Sequence, residues 1–116
     1  MIFIELSPDN EKGIEAMSAM ATEIVRDQLE HGYRYYFVKE DDRLIGFLAF
    51  YPKGEVLYLS KLYLYKSERG KGYSRQMLDF VIQAAEAAGL HTIELNVNRN
   101  NDAINAYEKL GFLQVL

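Results

Sequence analysis

The feature that most constrains the fold is a strand–helix–strand pattern in residues 55–97. Its first part, EVLYLSKLYLY, is rich in the aromatic and apolar residues that favour strands. A basic segment with two glycines, RGKGYSR at 69–75, comes next, and apolar residues then recur at helical spacing from Gly72 to Ala88. The last part, TIELNV at 92–97, alternates as a strand does. A unit of this size joins two parallel strands through a helix, so the sequence predicts an α/β fold.

The N-terminal part of the chain predicts one strand followed by helix. Apolar side chains alternate over Ile2–Leu6, which indicates the strand. Ser7 is the expected N-cap of the helical segment, with Pro8 at its first position. Apolar residues then recur at helical spacing until His31-Gly32, as one bent helix or two short ones.

The remaining elements complete a single mixed sheet with flanking helices. Two β-rich runs, 33–39 and 44–51, flank the polar turn EDDR and predict a hairpin. NRNND precedes a helical run that ends at Leu110, and 112–116 begins a last strand. The predicted order is β-α-β-β-β-α-β-α-β, a mixed α/β (α+β) fold with an antiparallel N-terminal half and a parallel pair near the middle. No linker or repeat divides the chain, so 1–116 is predicted to be one domain.

The composition argues against several classes of function. Thirteen Lys and Arg against 17 Asp and Glu give a net charge of −4, which disfavours nucleic acid as a partner. The chain has no cysteine, and His31 and His91 lack neighbouring ligands at metal spacing, so we expect no metal. No leader-like segment or membrane-length apolar run is present, so we expect a soluble, cytoplasmic protein with no membrane partner.

The RGKGYSR segment is typical of an anion site between a strand and a helix. Glycine permits a positive φ and close approach of the backbone to a ligand, and the first N–H groups of a helix carry partial positive charge. Lys66, Arg69, Lys71 and Arg75 add four positive charges within ten residues. The spacing fits neither a P-loop nor a dinucleotide fingerprint. A glycine turn that precedes a solvated basic helix is the alternative.

Two separate segments share motifs with one family. The first reads Arg69-x-x-Gly72-x-Ser74, and the second reads Asn-x-x-Ala-x-x-x-Tyr-x-x-x-Gly-Phe from Asn100 to Phe112. In this order and at this separation they resemble the GNAT superfamily of acyl-CoA-dependent N-acetyltransferases. Ser74 departs from the family's usual Gly or Ala but is also small. The resemblance covers essentially the whole chain, which looks shortened at its C-terminus because a final hairpin strand is missing.

The resemblance implies a binding site for acetyl-CoA as cosubstrate. Main-chain groups of the strand would pair with the pantetheine arm as if it were an extra strand, and the glycine loop would hold the pyrophosphate. Asn100 would hydrogen-bond the arm, and it is also suited to cap the last helix. The expected cofactor-binding residues are Leu62, Tyr63, Leu64, Arg69, Gly70, Lys71, Gly72, Tyr73, Ser74, Arg75, Asn100, Ala103 and Tyr107.

The resemblance also implies direct attack of a primary amine on the thioester in a ternary complex. A strand N–H would hold the oxyanion, and Tyr107 would donate a proton to the departing thiolate. The other interpretation of Tyr107 is a core aromatic residue. A base must deprotonate the amine, and Glu55 and Ser60 are the candidates. Glu55 is otherwise a surface charge at the end of a strand.

The acceptor half of the site is expected to be reduced. The implied acceptor is a small-molecule or peptide amine, and the acidic composition favours a cationic one. The chain stops four residues after Phe112, so we expect an exposed sheet edge, and either a second copy covers it as a homodimer or the sequence is a shortened form of the chain. The alternative function is an acyl-CoA-binding sensor or partner subunit with little or no transferase activity. A phosphate-binding α/β domain unrelated to CoA is a third possibility.

Overall fold

The structure, a computed structural model, describes residues 1–96, 107–108 and 111. Its centre is a five-stranded sheet in the order β1-β2-β3-β4-β5. The strands are β1 (Ile2–Glu5), β2 (Arg34–Glu40), β3 (Arg43–Lys53), β4 (Val56–Leu64) and β5 (Ile93–Glu94). Strands β1 to β4 pair antiparallel, and β4 pairs parallel with β5. The predicted mixed sheet, with its antiparallel half and its parallel pair, is confirmed.

Helices cover both faces of the sheet. Between β1 and β2 lie α1 (Glu11–Ala21) and α2 (Val25–Glu30), which pack on one face, and α3 (Tyr73–Ala87) joins β4 to β5 on the other. Thr22 ends α1 with a φ of +54°, so the predicted helical segment forms two helices. No helix within the described part of the chain is long and apolar enough to cross a membrane.

The first helix begins later than predicted. Asn10 is its N-cap, and the Asn10 side-chain oxygen accepts a hydrogen bond from the Gly13 N–H at 2.9 Å. Ser7 instead forms the preceding turn, where its hydroxyl accepts from the Asp9 N–H and its carbonyl accepts from the Asn10 N–H. The prediction of Ser7 as N-cap, with Pro8 at the first helical position, is wrong because Asn10 supplies an equivalent oxygen three residues later.

Each face of the sheet has its own hydrophobic core. Side chains that alternate along β2 and β3 divide between the two, as the pleat requires. The α3-side core joins three strands to α3, and the opposite core joins the sheet to α1 and α2. Fully buried members are Val38, Leu48 and Met77 on the α3 side, and Met17, Val25 and Tyr35 on the other.

A β-bulge interrupts β4 in its middle. Ala49 of β3 pairs with Lys61, and the next residue, Phe50, pairs with Leu59. Ser60 therefore has no partner on β3 and forms the extra residue of the bulge. A single extra residue shifts the alternation of side chains by one position. Each side chain beyond the bulge therefore points to the face opposite to the one it would have in a regular strand.

The bulge decides which side chains of β4 reach each face. Leu57 and Leu59 lie in the α3-side core before the bulge, and Leu64 lies in the same core after it. An uninterrupted strand would direct Leu64 to the other face, since 59 and 64 differ by an odd number. Lys61 and Tyr63 consequently face α1 and α2.

The structure describes some of the residues in the elements predicted for the C-terminal part of the chain. Of the predicted strand 92–97, β5 contains Ile93–Glu94, and Val97 lies outside the described residues. Tyr107 and Glu108 are helical, in agreement with a helix after NRNND. The remainder of that helix and the predicted last strand at 112–116 lie outside the described residues.

Gly46 is expected to be intolerant of any side chain because β3 and β4 approach closely there. A Cβ at Gly46 would lie 2.0 Å from the Tyr63 carbonyl oxygen, whereas a Cβ at Gly54 meets nothing within 4 Å. Gly46→Ala should lower the free energy of unfolding by about 3 kcal/mol. The control Gly54→Ala, strained only by its φ of +64°, should lose about 1 kcal/mol. Equal losses in urea unfolding would contradict the close approach.

Candidate functional site

The outer edge of β4 beyond the bulge carries main-chain groups that face away from β3. The Tyr65 N–H donates to the Ile45 carbonyl at 2.9 Å, so residues 63 and 65 face β3. By alternation, the N–H and C=O of Leu62 and Leu64 point to the opposite edge. Within the described residues, β5 pairs with β4 only at Leu57 and Tyr58, before the bulge. The edge from 60 to 64 is therefore suited to pair with an extended ligand.

This edge leads directly into the glycine loop and the start of α3. A short 3₁₀ turn, Lys66–Glu68, follows β4, and Gly70 and Gly72 have φ values of +80° and +81°. Gly72 is the N-cap of α3, and no side-chain hydrogen bond caps this helix among the described residues. The first N–H groups of this 15-residue helix therefore lie next to a loop with positive φ values. A residue larger than glycine would be strained in that conformation. Such an arrangement binds anions.

Three of the four predicted cations of the loop have a hydrogen bond or an ion pair. The Arg69 Nε donates to the Leu64 carbonyl at 3.0 Å, and the Arg69 guanidinium lies 5.6 Å from the centre of the Tyr63 ring. Lys71 Nζ lies 3.6 Å from a carboxylate oxygen of Glu68. Arg75 pairs with Asp79 one turn along α3, at 3.5 Å, while Lys66 begins the 3₁₀ turn. The backbone N–H groups and these cations together favour an anion at the loop.

Glu68 ties the loop to the end of the β2–β3 hairpin. Its side chain is buried, and one carboxylate oxygen accepts from Arg43 Nε at 3.0 Å, with Arg43 Nη2 also at 3.0 Å. The hydrogen bond to Glu68, with a second one to Tyr73, raises the pKa of Arg43. The other Glu68 oxygen is buried and has no hydrogen-bond partner among the described residues. Arg43 and Glu68 thus fix the loop against the sheet.

A cavity of about 340 Å³ lies on the other face of β4. The end of α1 contributes Met20, Ala21 and Thr22, β3 contributes Phe47, and β4 contributes Lys61, Leu62 and Tyr63. The cavity shares Leu62 with the free edge of β4, the stretch 60–64 that no other described strand pairs with on the side away from β3. A ligand paired with this edge would therefore lie beside the cavity.

The polar groups beside the cavity form a chain of hydrogen bonds. Lys61 donates to one carboxylate oxygen of Glu23, and Gln28 Nε2 donates to the other at 2.8 Å. The Tyr35 hydroxyl in turn donates to the side-chain oxygen of Gln28. The hydrogen bond from Lys61 lowers the pKa of Glu23, so its carboxylate stays charged at neutral pH. Lys61 and Glu23 are thus a fixed ion pair at this cavity.

The predicted catalytic residues are not all brought together. Tyr107 is helical and half-buried, and burial raises the pKa of its hydroxyl above its usual value. Glu55 is exposed in the turn before β4 and does not line the cavity, whereas Ser60 is the bulge residue. Asn100 and Ala103 lie outside the described residues. The assignments of catalytic and cofactor-binding residues stay predictions.

The structure also gives the positions of the other residues predicted to bind the cosubstrate. Tyr73 and Ser74 are the first two residues of α3, and both are half-buried. Three residues of β4 are predicted to contact the pantetheine arm. The main-chain N–H and C=O of Tyr63 face β3, and those of Leu62 and Leu64 face the free edge. Among the described residues no group of three His, Cys, Asp or Glu side chains is arranged to hold a metal ion.

Sequence reasoning missed four charged residues of this region. Glu23 and Lys61 flank the cavity, and Arg43 and Glu68 hold the loop. One signal was available, because Lys61 is the only charged residue within β4. Nothing in the local sequence indicates its partner, which lies 38 positions away along the chain.

Comparison with known proteins identifies the family. The model of the acetyltransferase (GNAT) family matches residues 3–112, nearly the whole chain. The chain belongs to this family, as its two motifs predict. A search of the curated proteins finds no match.

Solved structures with the same fold include several acetyltransferases. An aminoglycoside N-acetyltransferase, AAC(6')-Iy, in complex with CoA is 14% identical and has a TM-score of 0.77, with 97% of this chain and 92% of that one covered. A ribosomal-protein-alanine N-acetyltransferase from Brucella melitensis biovar Abortus 2308 is 21% identical, with a TM-score of 0.70 and the same coverage. A predicted acetyltransferase from Clostridium acetobutylicum, solved with acetyl-CoA, is 16% identical, with a TM-score of 0.72 and coverage of 98% and 90%.

The Arg43–Glu68 pair yields a prediction about stability. Arg43→Met leaves the buried Glu68 carboxylate with only Lys71 beside it among the described residues, so this variant should unfold at lower urea. Adding Glu68→Gln removes the buried charge, so the double variant should be more stable than Arg43→Met alone. Arg26→Met, which breaks an exposed pair with Glu11, is the control and should change little. A double variant less stable than Arg43→Met would contradict the pairing.

Proposed function

We propose that this protein is an N-acetyltransferase that moves the acetyl group of acetyl-CoA directly to a primary amine. The observation that carries the proposal is continuity: the free edge of β4 runs into the glycine loop and then into the uncapped start of α3. Such a path matches the two parts of CoA, an extended arm with amide groups and a pyrophosphate. Family membership and the neighbours solved with CoA or acetyl-CoA support the same cosubstrate.

The proposed cosubstrate site uses backbone more than side chains. The Leu62 and Leu64 main-chain groups would pair with the amides of the pantetheine arm, and Arg69 already occupies the Leu64 carbonyl through its Nε. Backbone N–H groups from Gly70 to Ser74 would hold the pyrophosphate. Arg69, Lys71, Arg75 and Lys66 would add charge around it, with Asn100 and Ala103 completing the pantetheine side.

The proposed chemistry is one acyl transfer in a ternary complex. The amine nitrogen bonds to the thioester carbonyl carbon, the carbon–sulfur bond breaks, and the sulfur leaves with a proton as the CoA thiol. Tyr107 is the proposed proton donor, since it stands at the motif position that the family resemblance assigns to this role and its hydroxyl is protonated at neutral pH. An N–H near the Ser60 bulge is the proposed oxyanion donor.

Glu55 is the proposed base that accepts the amine proton. Glu55 precedes β4 and lies five positions before Ser60, about 16 Å at the usual rise per residue. Glu55 would therefore act through water rather than by direct contact. The neighbours named as aminoglycoside and ribosomal-protein-alanine N-acetyltransferases support a small-molecule or peptide amine as acceptor.

Two glycines with the same backbone conformation test the cosubstrate site. Gly72 and Gly89 have φ values of +81° and +75°, and a Cβ at either meets nothing within 4 Å. Alanine at each should lower the free energy of unfolding by about 1 kcal/mol. In calorimetric titration, only Gly72→Ala should weaken acetyl-CoA binding, by about tenfold, because only Gly72 lies in the anion loop.

The titration also separates the two candidate functions. Equal affinity of the Gly72→Ala and Gly89→Ala variants for acetyl-CoA would refute the loop as the pyrophosphate site. Binding that depends on Gly72, without acetyl transfer to any amine, would instead indicate an acyl-CoA sensor or partner subunit.

Tyr107→Phe tests the proton donor. Loss of the hydroxyl should reduce kcat by about 10²-fold and leave the KM for acetyl-CoA nearly unchanged. Because burial raises the pKa of Tyr107, any loss of the wild-type rate from Tyr107 ionisation should begin at a higher pH than it would for an exposed tyrosine. Tyr36→Phe, in the α3-side core, is the matched control and should keep its kcat. An unchanged kcat in Tyr107→Phe would remove this residue from the mechanism.

A further inference from the structure

Lys61 is the one cationic residue that lines the cavity within the described part of the chain. Its side chain retains 15% exposure, and the Ser60 bulge turns it toward α1 and α2 rather than toward α3. Its ammonium, at the solvent-accessible end of the side chain, donates a hydrogen bond to Glu23.

The two members of this pair differ in how well they tolerate separation. The Glu23 side chain is 44% exposed and keeps the hydrogen bond from Gln28 on its second oxygen. Without Lys61, Glu23 would still have water and Gln28. Without Glu23, the Lys61 ammonium would be left facing a cavity whose other side chains are mostly apolar, among them Met20, Phe47 and Tyr63.

This difference between Lys61 and Glu23 determines which charge on an acceptor the ion pair can accommodate. An acceptor held through a second ammonium would have to take Glu23 from Lys61, which leaves Lys61 with no carboxylate partner among the described residues. A neutral acceptor would leave the pair intact and gain nothing from it. An acceptor with a carboxylate would take Lys61 and leave Glu23 to water and Gln28, so each charge keeps a partner.

We infer that the acceptor is a small primary amine that carries a carboxylate, as an amino acid does, and that Lys61 binds this carboxylate. The inference rests on the proposed transferase function. A cavity of about 340 Å³ is large enough for such a molecule and lies at the small end of ligand sites. Its apolar walls suit an apolar side chain on the acceptor.

The local charges argue for a different acceptor than the net charge does. A net charge of −4 favours a cationic acceptor, but it is spread over the whole surface. Charges farther away than about 8 Å are largely screened at physiological salt. Lys61 lines the cavity with Glu23 beside it, so the distant carboxylates contribute little to the field at this site.

Three matched acceptors test the inference. Leucine, leucinamide and 3-methylbutylamine share an amine and an apolar chain, and only leucine carries a carboxylate; the other apolar amino acids and their amides extend the set. Release of the CoA thiol gives kcat/KM for each. We expect values at least tenfold higher for the amino acids than for their amides or amines. Lys61→Met should abolish that preference and leave acetyl-CoA affinity unchanged.

Two further variants make the result specific. Lys61→Glu should invert the preference, so that the amides and amines react faster than the acids. Lys53→Met removes an exposed lysine that pairs with Glu94 at the end of β3, and it should keep the wild-type preference.

The outcomes separate this inference from the proposed function. Amides and amines that react as fast as the acids would overturn the role of Lys61 while the transferase function stands. Acetyl-CoA binding with no transfer to any member of the set, even at saturating amine, would overturn the inferred acceptor, whereas the transferase function falls only if no amine of any kind is acetylated. A preference for acids that persists in Lys61→Met would show that another group binds the carboxylate.

Discussion

The structure depends on one irregularity in one strand, the bulge at Ser60. It reverses the alternation of β4, so that Leu57, Leu59 and Leu64 all enter the α3-side core while Lys61 faces α1 and α2. The same strand therefore completes one hydrophobic core and, beyond the bulge, presents an edge and a charged side chain to a site. A regular strand with this sequence would bury Lys61 against α3 or expel Leu64 from the core.

Several charged side chains in this region form ion pairs within the protein. Arg43 with Glu68, Arg75 with Asp79 and Lys61 with Glu23 are all paired. Backbone dipoles at the start of α3 attract an anion without any rearrangement of charged side chains, and Lys66 and Arg69 add positive charge nearby. At the Lys61–Glu23 pair, in contrast, a ligand carboxylate would take the place of Glu23. The proposed pyrophosphate site and the inferred carboxylate contact therefore bind an anion in different ways.

Features that depend on neighbouring residues in the sequence could be predicted. Features that depend on strand pairing or on contacts between distant segments could not. Gly70 and Gly72 indicate a loop with positive φ from their identity alone, and the alternation of Ile2–Leu6 indicates a strand. The Ser60 bulge depends on how β4 aligns with β3, which no local pattern encodes. The start of α1 was placed too early because Asn10 competes with a Ser7 signal of equal quality. The Lys61 contact joins elements far apart in sequence, so it requires the fold itself.

The central claim is that acetyl-CoA lies along the free edge of β4 with its pyrophosphate at the start of α3. Amide hydrogen exchange with and without acetyl-CoA tests it most directly, since exchange reports the protection of individual backbone N–H groups. The account predicts slower exchange at Leu62, Leu64 and 70–74 on binding, and unchanged exchange in β1. Protection confined to other segments, or none at saturating acetyl-CoA, would contradict it.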